Sequence, residues 1–486
     1  MDNDQRDVRI QKLRELRERG INPYRDKYER THLLSEARSL QPETRDVRIA
    51  GRVMAIRMFG RLIFATLKDG SGRMQIALQE KTLGDEFGFF KKYVDIGDFI
   101  GTEGDIFITK KGETTLNTLR FEILSKTLRP LPEKWHGVQD RELLYRQRYL
   151  DLTMNDDTMK KFLIRTGIIR TMREFLDSSG FTEVDTPVLQ TKPSGAIATP
   201  FTTHHNALDM PLYLRIAPET YLKRCIAGGF DRVYEFARSF RNEGMDPSHL
   251  QDFTLLEWYA AYWSYENNME FTQRFVKHVL REINGSLVLR YGEREIDFSG
   301  AWKRITMREI ILADTGIDIY AYEDDTALRK RIETDKIEIQ GFETMGLGQL
   351  IDNLFKKVSR PAIIDPVFIV HHPRELSPLA RTNDEDGRIT DRFQLVANGW
   401  ELINAYSELI DPLDQRARLE AQARLHSSGD AEAMVMDEDY LTAMEHGMPP
   451  ISGLGMGVDR FISLLAGQEN LRDVVLFPLM KPREEE

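Results

Sequence analysis

The stretch that most constrains this chain is residues 238–259, RSFRNEGMDPSHLQDFTLLEWY. Two β-prone runs flank a polar segment that carries the turn residues Gly244, Asp246, Pro247 and Ser248. This reads as strand, loop, strand. Arg238 and Arg241 come before the loop, and Glu257 lies on the second strand. A hairpin of this kind can hold an anion at one end and a cation at the other. Taken singly, the same charges also suit a solvated surface hairpin.

At 486 residues the chain exceeds one core, and two or three domains are expected. The formal net charge is −11, so a polyanionic partner has to meet local basic patches. The one cysteine, Cys225, excludes an internal disulfide and a multi-cysteine zinc site, and it suits a reducing cytoplasm. The N-terminal residues are charged, with no apolar signal-peptide core. No run of about 18 apolar residues predicts a membrane helix. Neither a membrane nor DNA is an expected partner.

Residues 4–20 read as a helix with an apolar stripe of Ile10, Leu13 and Leu16 among many basic residues. That helix is either a solvated face or a surface for phosphate contacts. Residues 47–126 alternate short apolar runs with Gly and Asp-Gly turns, which predicts a small OB-fold β-barrel. Its Arg57, Phe64 and Gln75 can offer charge, stacking and base-edge hydrogen bonds to single-stranded nucleic acid. Phe64 suits core packing equally. Residues 127–150, with two early prolines, read as a linker. From 151 onward helices and strands are segregated, which predicts an antiparallel sheet with helices, α+β in class. Residues 311–389 read as holding an insertion of helices and acidic loops.

Three constellations carry chemistry. Arg241 and Arg460 are phosphate candidates, the latter opening a helix after Gly453, Gly455 and Gly457. Glu401 and Glu408 are carboxylates of the kind that hold Mg²⁺ together with phosphate oxygens. Glu219, Glu257 and Glu408 lie in apolar surroundings and need cationic partners. Internal Lys or Arg residues and a ligand bearing ammonium groups both remain open. Nothing resembles a Ser/His/Asp or Cys/His nucleophile arrangement.

GFTEVDTPVL, RSFRNEG…FTLLEWY and GLGMGVDRF resemble, in order, the three motifs of the class II aminoacyl-tRNA synthetases. PLYLRIAPETYLKR, SELID and RDVVLFPL resemble the bacterial-type lysine-specific family within them. This resemblance covers nearly the whole chain. It implies a helical extension over 1–46, an OB-fold over 47–126 that reads the anticodon of tRNA(Lys), and a catalytic domain over 151–486. It also implies a homodimer, with ATP, L-lysine and Mg²⁺ as ligands.

Carried over by position, the resemblance gives Arg241 the ATP α-phosphate and Arg460 the γ-phosphate. Glu243 meets the adenine and Phe253 stacks on it, with His249, Glu401 and Gly457 completing the ATP site. Gly195 and Glu219 take the lysine α-amino group. Glu257, Tyr259 and Glu408 form the side-chain pocket, lined by Asn404, Tyr406 and Gly455. Glu401 and Glu408 contribute to Mg²⁺ binding. Arg57, Phe64 and Gln75 meet the anticodon.

Two positions depart from the family pattern. Ser248 stands where a loop arginine is usual, and Gln394 where an acid associated with Mg²⁺ is usual. A neutral amide is a weaker ligand for a hard cation, so weaker or rearranged ATP·Mg²⁺ binding is expected. Aspartate- or asparagine-specific relatives need a cationic or amide-reading pocket, against which Glu257 and Glu408 argue. A relative that lysylates a protein lacks the barrel that residues 47–126 predict. A non-catalytic regulator is supported only by the two departures.

Overall fold

The structure, a computed structural model, describes residues 2–132, 141–196, 198–244, 246–427 and 434–482. It divides into two compact units, Met1–Gln139 and Asp140–Glu486. Part of the expected linker, residues 133–140, lies outside the described residues.

The first unit opens with helix α1 (Asp2–Glu18). Five strands follow: β1 (Val47–Phe59), β2 (Leu62–Lys68), β3 (Arg73–Gln79), β4 (Phe99–Ile108) and β5 (Thr114–Ser125). They close into a barrel in the order β1-β2-β3-β5-β4. Period-two alternation fills it: on β2, Ile63, Ala65 and Leu67 are buried while Phe64 and Thr66 stay partly exposed on the other face. β4 bends at a bulge beside Gly104, where an added Cβ would stand 2.0 Å from the Asn117 carbonyl oxygen. α1 buries Leu13 and Leu16. Two of its basic residues also turn inward. Arg9 donates to the carbonyls of Ile96, Thr127 and Arg129, and Lys12 pairs with Asp95 at 2.6 Å. The basic stripe is thus partly an internal clamp, which narrows the phosphate surface expected of it.

The second unit is built on an eight-stranded sheet. Its members are β6 (Thr182–Glu183), β7 (Arg232–Phe240), β8 (Asp252–Ala261), β9 (Lys303–Thr306), β10 (Val367–Pro373), β11 (Ile389–Ala397), β12 (Trp400–Ser407) and β13 (Ile451–Gly457). The order is β9-β10-β11-β12-β13-β8-β7-β6. Only the edge pairs β9/β10 and β6/β7 are parallel; the central strands are antiparallel. The helices that frame the site are α2 (Asp156–Ser178), α3 (Glu219–Ala227), α4 (Tyr265–Asn284), α5 (Glu438–Glu445) and α6 (Val458–Leu465). α4 starts where the Ser264 hydroxyl accepts from the Asn267 N–H, and it ends at Gly285 in the left-handed region (φ 65°).

α2 and α4 cover one face of the sheet, around Trp258, Phe275, Phe393 and Phe461. Alternation then decides what the other face presents. On β8, Leu256 and Trp258 enter the core while Glu257 and Tyr259 point the other way. β12 and β13 repeat the pattern: Ala405, Leu454 and Met456 enter the core, and Asn404, Tyr406 and the glycines line a cavity.

Helices Met307–Thr315, Asp325–Thr334 and Leu347–Leu354 form a core of their own, which continues onto the sheet through Ile369 and Val396. Residues 367–373, within the 311–389 region read as holding an insertion, form β10: Val367, Ile369 and Val370 pair with β9 on one side and β11 on the other. No helix among the described residues is long and apolar enough to cross a membrane.

Candidate active site

The open face of the central strands carries a cavity of about 360 Å³, within the range of small-molecule sites. Register builds its floor. Glu257, Gly455 and Asn404 lie side by side on β8, β13 and β12, and Tyr259, Gly453 and Tyr406 form the next row. Glycine stands at the middle of each row; a Cβ at Gly455 would meet its neighbours at 3.9 Å, but at Gly453 nothing larger fits. A Cβ at Gly453 would stand 2.2 Å from the Tyr259 ring and 2.4 Å from Glu408 Oε1. The glycines therefore keep a trough open between two walls of polar side chains.

One end of the trough is cationic. Arg241 follows the last residue of β7, and its backbone N–H donates to the Gln251 carbonyl across the hairpin (2.9 Å). Its guanidinium lies 5.2 Å from the Phe253 ring centroid, and its Nε is buried without a hydrogen-bond partner. Burial lowers its pKa from the usual guanidinium value, with the Glu243 charge opposing. Arg460 sits in the first turn of α6, facing the same cavity, beside Gly457 and the Glu401 carbonyl (3.4 Å). Asp459 fixes this corner: it pairs with Arg165 at 2.6 Å and accepts from the Thr254 N–H at 2.7 Å. A cationic corner at a helix start, with one guanidinium nitrogen left unpaired, suits an anion such as a phosphate.

Arg238, read with Arg241 as a basic pair, is held otherwise. It pairs with Asp252 at 2.7 Å and donates to Thr254 Oγ1 at 2.8 Å, clamping the hairpin. The loop between the strands is an Asp246-centred turn. Ser248 N–H donates to Asp246 Oδ1 (2.6 Å), and His249 Nδ1 lies 2.7 Å from Oδ2.

The other end is acidic. Glu219 opens α3 and lines the cavity, with Gly195 packed against its Cβ. Glu257 is buried and accepts from the Tyr259 hydroxyl at 3.1 Å. Burial, with the Glu219 charge next, holds the Glu257 carboxyl well above the usual carboxylate range. The question of internal partners for the acids resolves both ways. Glu219 and Glu408 flank the ammonium of Lys223, at 2.6 and 2.5 Å. Among the described residues Glu257 has its hydrogen bond from Tyr259 and no ion pair.

The structure brings most of the expected ATP- and lysine-site residues to this one cavity: Gly195, Glu219, Arg241, Glu243, His249 and Phe253 line it. So do Glu257, Tyr259, Glu401, Asn404, Tyr406, Gly455, Gly457 and Arg460. Glu408 and Gln394 are set apart. Glu408 is fully buried beneath Gly453, and its Oε2 faces the Lys223 ammonium, so the structure sets it against an internal cation and away from Glu401 on the cavity wall. Gln394 is buried next to His372, with its Oε1 unpartnered, and is not on the cavity wall. Among the described residues, no three His, Cys, Asp or Glu side chains gather as a metal cluster. Glu401 stands as a carboxylate at the cationic end, where Glu243 faces Arg241 and Asp459 is engaged by Arg165. One carboxylate plus phosphate oxygens still fits the coordination habit of Mg²⁺.

Two groups at the site, Lys223 buried behind the cavity wall and Arg392 on it, escaped the sequence reading. Lys223 follows Glu219 by four residues, and the i, i+4 pairing rule on a helix points to it. Arg392 donates to Asn404 Oδ1 (2.8 Å) and to Ser377 Oγ (2.9 Å), which fixes the orientation of Asn404; it lies in the DRFQL stretch that carries Gln394, and the sequence reading assigns it no role.

On the barrel, Arg57 pairs with Phe64 across β1 and β2, and its Nη2 lies 3.5 Å from Gln75 Oε1. Gln75 is itself held by Thr115 (3.0 Å). The three expected anticodon residues thus share one patch. Phe59, well exposed and 6.3 Å from the Phe64 ring, belongs to it as well.

Known proteins resemble the chain on both units. A family profile described as "tRNA synthetases class II (D, K and N)" matches residues 140–481, and one described as "OB-fold nucleic acid binding domain" matches residues 47–124. A lysine–tRNA ligase of Carboxydothermus hydrogenoformans is 47% identical over 482 residues, 98% of either chain. One of Bacillus subtilis is 44% identical, covering 99% of this chain and 98% of its own.

Proposed function

This chain belongs to the class II tRNA synthetases, among the lysine–tRNA ligases, and we propose that its residues divide the work of that enzyme in the following way. The enzyme activates L-lysine with ATP and transfers it to tRNA(Lys). The carrying observation is the polarity of a single cavity, cationic at Arg241 and Arg460 and acidic at Glu219 and Glu257.

Lysine lies with its two ammonium groups at the acidic end and its carboxylate toward Arg241. Glu219, backed by Gly195, takes the α-ammonium; Glu257 and Tyr259 take the ε-ammonium, with Glu408 beneath them. Asn404, Tyr406 and Gly455 shape the pocket. ATP lies across the cationic end: Phe253 stacks on the adenine, Glu243 and His249 lie beside the nucleotide, and Arg460 and Gly457 hold the terminal phosphate. The lysine carboxylate attacks the α-phosphorus in line. A phosphorus–oxygen bond forms, the bond to pyrophosphate breaks, and pyrophosphate leaves with its electron pair. Arg241 neutralises charge as it grows on the α-phosphoryl oxygens. Glu401 would hold Mg²⁺, which when bound screens the phosphate charge. The terminal ribose hydroxyl of tRNA then attacks the lysyl carbonyl, and AMP departs.

Arg57, Phe64, Gln75 and Phe59 form the surface for the anticodon, with bases stacked on the aromatic rings. We infer a homodimer and a cytoplasmic location from the same family reading.

The barrel and the cavity are separable by assay. Phe64→Ala raises the KM for tRNA(Lys) in aminoacylation about tenfold or more, the worth of one lost stack. Lysine-dependent exchange of pyrophosphate into ATP, run without tRNA, stays within about twofold of the unaltered enzyme. A tRNA KM that does not move removes Phe64 from the recognition surface.

A further inference from the structure

The acidic end of the cavity already contains a cation. Lys223 lies one turn after Glu219 on α3, and its side chain is completely buried. Its Nζ bridges Glu219 Oε1 and Glu408 Oε2. The rings of Tyr406 and Tyr440 stand 5.6 and 5.8 Å from the ammonium. Glu219 Oε1 also accepts from the Tyr406 hydroxyl at 2.6 Å, so Lys223 and Tyr406 share one oxygen and leave Oε2 outside the set. An ammonium at this depth persists only with carboxylates around it.

A count of charges gives it a purpose. Glu219, Glu257 and Glu408 share this end with Lys223. The neighbouring acid on β7, Glu235, is closed off by Arg215 at 2.5 Å, and Arg224 on α3 pairs with Asp437. Counted as ionised, the form that bound ammonium groups favour, three carboxylates and one ammonium leave an excess of two negative charges; Arg392, a further cation of the cavity wall, is turned to Asn404, Ser377 and the Leu376 carbonyl. Free lysine carries two ammonium groups. Without Lys223 the excess is three, and crowded carboxylates in a dry pocket cannot all ionise.

We propose that Lys223 is a positioning residue, a built-in ammonium that fixes Glu219 and Glu408 and trims the pocket to two unmet negative charges, so that it selects an amino acid with two ammonium groups. This rests on the lysine reading above.

The groups facing Lys223 are Glu219 on its own helix, Glu408 and Tyr406 at β12, Tyr440 on α5, and Glu257 and Tyr259 on β8. Burial raises Glu408 to about 8 although Lys223 pulls it down. Burial would also lower Lys223, but Glu219 and Glu408 hold it above the usual ammonium value. Removing Lys223 therefore drives Glu408 and Glu257 further toward their protonated forms.

The test is pyrophosphate exchange by the full-length Lys223→Met variant as a function of pH. The KM for lysine rises about thirtyfold or more at pH 7, the expected scale for an unpaired buried charge. The KM for ATP, and kcat at saturating lysine, stay within about threefold. The midpoint of the rise in lysine affinity with pH moves up by about one unit or more. The double variant Lys223→Met/Glu408→Gln has two acids and no internal cation, which restores the count; its lysine KM and its midpoint return to within about tenfold and half a unit of the unaltered enzyme. Where the single variant does not fold, the double variant carries the test alone. A lysine KM and midpoint that do not move in the single variant, or a double variant with the summed losses of the two single changes, overturn the proposal. Failure of the unaltered enzyme to activate lysine would instead strike the functional reading beneath it.

Discussion

Arg241→Gln lowers lysine-dependent pyrophosphate exchange by about 10²–10³-fold in kcat, the scale for removing one preorganised group that meets transition-state charge. The variant folds, because no ion pair of the hairpin runs through Arg241. Arg238, not Arg241, clamps the strands through Asp252 and Thr254. Arg241 instead keeps a buried Nε without a protein partner at the cationic end of the cavity. The residue is thus held ready at a cost in desolvation that an incoming α-phosphate offsets. A lysine KM nearly unchanged beside a collapsed kcat is the expected signature of an interaction made in the transition state. A kcat that falls less than about fivefold would remove Arg241 from that role.

Glu257→Gln raises the KM for lysine about 10²-fold or more and leaves the KM for ATP within about twofold, since a buried ammonium then loses its carboxylate. It also abolishes a proton linkage. Burial and the neighbouring Glu219 charge hold the Glu257 carboxyl well above the carboxylate range, against the hydrogen bond from Tyr259. In the empty pocket Glu257 therefore holds its proton to a higher pH than an ordinary carboxyl does. An arriving ammonium favours the ionised form and lowers this pKa, so lysine binding expels a proton. A ligand that lowers an acid's pKa binds more tightly as pH rises from the lowered value toward the raised one. Lysine affinity of the unaltered enzyme accordingly rises with pH below the point at which the free amino acid's own ammonium groups titrate. Calorimetry in buffers of different ionisation enthalpy reads the released proton directly, and Glu257→Gln releases less. The sign for folding is opposite. The folded apo state binds more protons at Glu257 than the unfolded chain does, so this group's share of stability falls as pH rises above the ordinary carboxylate value.

The barrel and the central hairpin were legible because both rest on local rules. Alternation of apolar and polar residues in LIFATLK and TLLEWYAA fixes which side chains face the core, and turn residues fix where each strand stops. Helix α4 announces its ends through Ser264 and Gly285. The candidate site was legible chiefly through motif resemblance. Periodicity alone could not show that Glu257, Gly455 and Asn404 share a row, since the row unites strands about 50 and 200 residues apart in sequence. The inner bounds of the insertion, and β10 beside it, were not legible for the same reason: VFIVHH pairs with segments that precede and follow it in the chain. The expected metal pair of Glu401 and Glu408 meets a side chain that no spacing rule between the two involves. Lys223, on a different helix, had already engaged Glu408. That pairing becomes visible only when α3 packs against β8 and β7 and brings the sheet's acids to its buried face.

The most direct test of the account is ATP–pyrophosphate exchange by the unaltered enzyme without tRNA, with lysine, aspartate or asparagine as the amino acid. A cavity acidic at the side-chain end and cationic at the phosphate end predicts exchange with lysine, and exchange with the other two lower by about 10⁴-fold or more, because each would leave buried carboxylates unpaired. Equal exchange with aspartate or asparagine, or no exchange with any of the three from folded protein, would contradict it.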